Sequence, residues 1–409
     1  MATITPLTES ARRDVFQRVL TIIDRKFMGP PVDLPALKAR HEQAVVGSEM
    51  PEAFEQALTN LLKDLGTSHT GCFHEGRPRV AGRVAIAATF AKVETADGMR
   101  WVFQDVHPAG VAARAGVRSG DVLLMIDGQD MRPPDAVPFS LGQTYAFTIR
   151  RADGATASAT MAVPGSREKQ RPIVVPDQVV TTSKPRDDVG VVRISMFPGV
   201  LGMDVARDIS RATAELQCPK LVVDLRGNTG GGIGCLRVMS HLCPDRRGVG
   251  YSLGRAAAQK GLTKDRLPSF DRIPSSKWGV IPLAVKFATA SRSVAVFTEA
   301  LGPQAHHGHV AVLVNEHSAS AAEMIAGFVS EYRLATLVGT KTAGRLVATS
   351  AFTVGHGYRI AIPVAAYYTW QGRNLEGVGV TPDIEEPFSA EAVWHGHDPQ
   401  LDRALACLS

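Results

Sequence analysis

The sequence predicts a multidomain α/β protein with a helical N-terminal domain, a β-rich module and an α/β core. Three patterns carry that reading. Over the first 75 residues apolar side chains recur at helical spacing, from about Gly82 to Pro164 short strands alternate with turn residues, and from Val189 onward apolar strands alternate with amphipathic helices. At 409 residues, 44% of them apolar and 21% charged, the chain is long enough for two or three domains, each with its own core.

Within residues 1–78, Val15, Val19, Leu20, Ile23 and Phe27 define one helical face, and Phe54, Leu58, Leu61, Leu62 and Leu65 define another that stops at Gly66. Thr67-Ser68-His69-Thr70 follows directly, a histidine in a loop after a helix stop. Residues 79–165 form the β module. Residues 166–188, polar and proline-bearing, read as a linker. The core, 189–392, holds the strands VGVVRIS from Val189, KLVVDL from Lys220 and HVAVLV from His309, with an amphipathic stretch from Met203 to Leu216, and this alternation predicts a largely parallel sheet. Residues 246–308 are too long and polar for a simple connection and are read as an insertion near the site; residues 393–409 are a C-terminal tail.

Composition narrows the function. Basic residues exceed acidic ones by only five, without a like-charge block or basic and aromatic interleaving, so nucleic acid is not an expected partner. Cys72, Cys218, Cys235, Cys243 and Cys407 are odd in number and lack paired CxxC spacing, which argues against a disulfide framework or a structural zinc site. The other histidines, including His306, His307, His309, His395 and His397, have no carboxylate or cysteine at ligand spacing, so no metal or organic cofactor is expected. The first twenty residues lack the apolar core of a secretory signal, and no later run could span a bilayer; a cytoplasmic location is the expectation.

Two segments have the form of a reaction site. In HVAVLVNEHSASAAEMIAGFV, His309 to Val329, a strand runs through small polar residues into a helix with Ser320 at its mouth. The amides of a first helical turn lack intrahelical acceptors, and that end carries partial positive charge, so the Ala321 amide is a candidate donor to an oxyanion formed beside Ser320. Ser318 and Ser320 also read as ordinary N-cap residues. The second segment, Arg226 to Gly234 after KLVVDL, lacks both a P-loop Lys-Ser/Thr and GxGxxG spacing. Its glycines allow close backbone approach, and Gly230 and Gly231 are candidates for the other half of an oxyanion hole. A plain tight turn remains the alternative.

Residues VHPAGVAARAGVRSGDVLLMIDGQDM resemble a PDZ domain, which implies peptide capture by strand addition. The strand from Gly82, with Val84, Ala85 and Ile86, is the expected peptide-binding edge. Almost the whole chain resembles the carboxyl-terminal processing and tricorn-like serine peptidases: a helical region, a PDZ-like module, then DLRGNTGG, VLVNEHSASAAE, VGTKTAG and EGVGVTPDIE in order. The resemblance implies a ClpP/crotonase-like α/β core with Ser320 as nucleophile. Processing members follow the Gly of their TxG element with a Lys base; here Arg345 holds that place, and a guanidinium cannot take a proton. Lys341 lies on the wrong side of the element. The tricorn-like branch instead uses a Ser-His pair and a Glu of the closing signature, which implies Ser68, His69 and Glu376 here, with His69 as base and Glu376 acting through Ser68. The implied activity is endopeptidase action on extended or unfolded polypeptide through an acyl-enzyme. The same fold also serves retinoid-binding modules without protease activity, so a non-catalytic ligand- or peptide-binding scaffold is the alternative.

Overall fold

In the computed structural model the described residues are 4–76, 82–165, 176–275, 293–302, 306 and 308–409. Ten linker residues, 166–175, part of the 246–308 stretch, and His307 lie outside them.

Three helices open the chain, Glu9–Lys26, Leu34–Val46 and Pro51–Lys63. Each begins where local chemistry favours it. The Thr8 hydroxyl accepts from Ala11 N (3.3 Å), the Asp33 carboxylate accepts from Ala36 N (3.0 Å), and Pro51 occupies a first-turn position where its missing N–H costs nothing. Their apolar faces do not close on themselves. Val15, Phe16, Leu58 and Leu62 share one core with Val354, Tyr358, Ile360 and Ile362 of the hairpin Val347–Gly355 and Tyr358–Thr369. The short strand Gly71–His74 then pairs antiparallel with Tyr358–Ala361, which ties the Ser68-His69 loop to that hairpin.

The β module is an antiparallel sheet in which Ala88–Thr95 is one edge strand, followed by Gly98–Val106, Val122–Ile126, Thr144–Arg150 and Thr156–Ala162. Phe103, Leu123, Phe147 and Met161 fill its centre. One expectation is corrected here. Gly82–Ile86 is a short helix, and the edge strand begins only at Ala88. Ala85 and Ile86 are fully buried in the module's core, so Val84, Ala85 and Ile86 cannot form the open edge foreseen for a peptide. The apolar pattern marked burial, not a strand.

The core sheet runs in the order Ile384–Glu385, Thr336–Gly339, His309–Val314, Lys220–Asp224, Val189–Ile194, Val180–Arg186. All neighbours are parallel except the last pair. The expected linker therefore ends in a strand of this sheet. Alternation separates two faces: Leu221, Val223, Val310 and Val312 pack under the helices Met203–Leu216, Cys235–Leu242 and Ala321–Tyr332, while Val222, Ala311 and Leu313 pack under Pro399–Cys407 of the tail. Each such Val or Leu contributes about 1.5–3 kcal/mol by leaving water. The stretch 246–308 carries strands of its own: Gly248–Gly254, Ser269–Phe270 and Val294–Phe297 join Tyr358–Thr369 and Gly71–His74 in a second sheet.

Because the central strands are parallel, their carboxyl ends open onto one edge. The segments leaving Ile194, Asp224, Val314 and Gly339 all emerge there, where crevices form in open parallel sheets.

Candidate active site

Ser320 stands at the N-terminal end of the Ala321–Tyr332 helix with φ +56° and ψ −114°, a conformation costly for a residue with a Cβ. Glu323, one turn in and fully buried, holds it there. The Glu323 carboxyl accepts from Ser320 N (3.0 Å), Arg345 N (2.8 Å), Gly344 N (2.7 Å) and the Thr342 hydroxyl (2.7 Å). Burial raises its pKa, opposed by these donors, of which the Thr342 hydroxyl is the strongest. Four donors and no acceptor require the carboxylate form. The TxG element is thereby wrapped around the start of the Ser320 helix, and Ser320 N also donates to Arg345 O (3.0 Å).

Ser318 differs sharply from its neighbour. It is fully buried, its hydroxyl donates to Leu225 O (2.8 Å) and accepts from Asn315 N (2.9 Å). Ser320 is only partly buried. Of the two hydroxyls, that of Ser318 is committed to holding the turn.

The glycine run lies against this turn. A Cβ on Gly230 (φ +87°) would stand 2.5 Å from the Ser320 Cβ and 2.8 Å from Ala321 N, so only glycine permits the approach. Its amide donates to Asn228 Oδ1 (2.7 Å), which removes Gly230 from the set of available donors. Gly231 (φ +135°) is clamped between backbone bonds, with Phe197 N donating to Gly230 O (2.9 Å) and Gly232 N to Phe197 O (2.7 Å). Among the described residues, the amides of Gly231 and Ala321 have no acceptor.

Ser68, His69 and Glu376 are brought together across 308 residues of chain. Glu376 Oε1 accepts from Ser68 N (2.7 Å), and Oε2 accepts from the Ser68 hydroxyl (3.0 Å) and from Leu346 N (2.8 Å). Ser68 Oγ lies 2.7 Å from His69 Nδ1. A hydroxyl has one hydrogen, and here it goes to the carboxylate, so Nδ1 is placed to donate to Ser68, which in the neutral imidazole leaves the lone pair on Nε2. Arg345 and Leu346 join this chain to the Ser320 turn: the first accepts from Ser320 N and the second donates to Glu376. The Arg345 side chain is exposed; its backbone serves the site.

Sequence reasoning missed Glu323, Asn228, Asn315 and Thr342. Glu323 had a signal, since Ser-x-x-Glu before an apolar run is a capping-box pattern. Asn228 sits within the glycine run; its bond from Gly230 N is local, two residues on as in an Asx-turn, while its bond to Ile194 O (2.8 Å) depends on tertiary contact. Among the described residues no group of three potential metal ligands occurs, and no helix is long and apolar enough to cross a membrane.

Residues 188–386 match the model of peptidase family S41, and residues 102–141 match that of a PDZ domain. A carboxyl-terminal-processing protease of Synechocystis sp. is 26% identical over 73% of this chain and 62% of its own length. Tricorn protease homolog 2 of Streptomyces coelicolor is 25% identical over 91% of this chain and 30% of its own. The chain thus spans less than two thirds of the length of these curated relatives. The photosystem II D1 C-terminal processing protease has the same fold, with a TM-score of 0.56 over 98% of this chain and 97% of that one at 16% identity. With a match to peptidase family S41 following a match to a PDZ domain, the chain is similar to carboxyl-terminal-processing and tricorn-type proteases.

Proposed function

We propose that the protein is a serine endopeptidase of the tricorn-like type, acting on extended or unfolded polypeptide. Ser320 Oγ attacks the scissile carbonyl carbon while its proton passes to His69 Nε2. The tetrahedral oxyanion is held by the amides of Gly231 and Ala321. His69 then gives the proton to the departing amine as the C–N bond breaks, leaving an ester on Ser320. Water, deprotonated by His69, hydrolyses that ester and restores both residues. Ser68 and Glu376 keep the imidazole in the tautomer with Nε2 unprotonated and stabilise the imidazolium as it forms.

The observation that carries this reading is the hydrogen-bonded chain Glu376–Ser68–His69, joined by Arg345 and Leu346 to the Ser320 turn. A binding scaffold has no use for a carboxylate spent on orienting an imidazole. The test is turnover of a reduced, carboxymethylated protein substrate. Ser320→Ala, which removes one hydroxyl, is expected to abolish hydrolysis with the fold unchanged; retention of most of the activity would exclude Ser320 as nucleophile.

A further inference from the structure

The PDZ-like module reaches the Ser320 turn through one buried side chain, Asp105, at the end of the strand Gly98–Val106. Asp105 Oδ2 accepts from the Thr89 hydroxyl (2.6 Å) and from Asn315 Nδ2 (2.7 Å), a residue 210 positions away in the core. Asn315 is fully buried at the carboxyl end of His309–Val314. Its Oδ1 accepts from Gly227 N (3.0 Å) and His317 N (3.2 Å), and its own amide donates to Ser318 Oγ (2.9 Å). One carboxamide thus joins both halves of the site: the glycine run begins at Gly227, and the turn carrying Ser320 begins at Asn315. Ala319 N donates to Asn228 O (2.9 Å), and Asn228 in turn holds Gly230. Gly227 itself (φ +71°) packs on Asp105, since a Cβ there would stand 3.0 Å from the Asp105 Cβ.

We propose that Asp105 is a positioning residue for the reaction, a carboxylate supplied by the PDZ-like module that fixes the Asn315 carboxamide and with it the distance between Gly231 and Ser320. The inference rests on the assignment of Ser320 as nucleophile. The orientation of Asn315 is not symmetric. Its oxygen already takes two N–H donors, so its NH2 must face an acceptor, and Asp105 is that acceptor. Without it, the buried NH2 is unpaired and the carboxamide is driven to turn, releasing Gly227. The same contact commits the module's edge strand to the core, where His317 Nε2 lies 3.2 Å from Phe90 O.

The experiment uses the full chain and a fluorophosphonate probe, with the labelling rate at Ser320 and kcat and KM on an unfolded protein substrate measured for four enzymes. Asn315→Asp places two carboxylates face to face and is expected to lower the labelling rate and kcat by about 100-fold or more, with KM within about threefold. Adding Asp105→Asn restores a donor against an acceptor while Gly227 N and His317 N keep theirs, and is expected to recover activity to within about tenfold of wild type. Asp105→Ala, which introduces no repulsion, is expected to slow labelling about tenfold and decides the matter if Asn315→Asp does not fold. A merely structural contact would restore the melting temperature in the exchanged pair without restoring kcat, or leave the Asp105→Ala labelling rate unchanged; either result overturns the proposal. A wild-type enzyme that never labels at Ser320 would remove the Ser320 assignment as well.

Discussion

Glu376→Gln is the perturbation whose consequence the geometry constrains most tightly. The carboxylate accepts three hydrogens, from Ser68 N at 2.7 Å, the Ser68 hydroxyl at 3.0 Å and Leu346 N at 2.8 Å. A carboxamide offers one acceptor oxygen and one donor NH2. If the NH2 takes the Oε1 place it meets Ser68 N–H, leaving a donor unsatisfied at about 1–3 kcal/mol, or about 5- to 150-fold. If it takes the Oε2 place it donates to Ser68 Oγ, the hydroxyl turns toward His69 Nδ1, and the imidazole is left protonated on Nε2, where it cannot accept from Ser320. A wrong tautomer of this kind costs about 10⁴-fold in the Ser-His-Asp enzymes. The expected loss in kcat is therefore between about 5-fold and about 10⁴-fold, according to which place the NH2 takes, with KM little changed, measured by initial rates on a fluorescent unfolded protein. Ser68→Ala should cost a comparable factor, and because both act on His69 through one chain, the double variant should be little worse than either single one. Fully multiplicative losses would refute the four-residue relay and leave only Ser320 and His69.

Other outcomes follow from the same contacts. His69→Ala should lower kcat by about 10²–10⁴-fold, whereas Arg345→Ala should stay within about threefold because only the backbone of Arg345 serves the site; a dead Lys341→Ala enzyme beside a live His69→Ala one would reverse the assignment of the base. Gly231→Ala forces a Cβ into the Phe197 carbonyl at φ +135° and should reduce kcat by about 10²–10³-fold, read with the melting temperature to separate unfolding from loss of the donor. His107 is buried, and that burial, with Arg193 adding to it, lowers its pKa from 6.5 to about 4. Between those values the unfolded chain binds a proton the native state refuses, so stability should be full above about pH 6.5 and fall as the pH drops toward 4. Urea melts of His107→Asn across that window should show a flatter dependence, and an equal slope would exclude His107 as the source.

What the sequence disclosed depended on the range of the interaction. Helical spacing at Phe54, Leu58 and Leu62 and the apolar runs from Val189, Lys220 and His309 are local patterns, and each matches an element. Ser320, Ser68, His69 and Glu376 were singled out through motif resemblance, and Ser68, His69 and Glu376 are joined by hydrogen bonds. The errors arose where burial overrides local pattern. The stretch from Val84 to Ile86, expected as a strand from the PDZ resemblance, folds as a short helix with Ala85 and Ile86 in the module's core. Residues 246–308, read as an insertion from their polarity, supply the strand Gly248–Gly254, which pairs with Tyr358–Thr369 more than a hundred residues later, and Val294–Phe297, which pairs with Gly248–Gly254. Gly230 was expected as a donor because glycine admits close approach. The approach is there, but the N–H is taken by Asn228 two residues earlier, the local side-chain-to-backbone bond of an Asx-turn. The Asp105–Asn315 bond, spanning 210 residues, is by contrast invisible until the two modules are seen packed together.

The central claim is that Ser320, activated by His69, is the nucleophile. Intact-mass measurement followed by peptide mapping after fluorophosphonate treatment tests it most directly. The account predicts one adduct per chain, located on Ser320, absent in Ser320→Ala, and formed about 100-fold or more slowly in His69→Ala. An adduct on Ser318, or an undiminished rate of Ser320 labelling in His69→Ala, would contradict it.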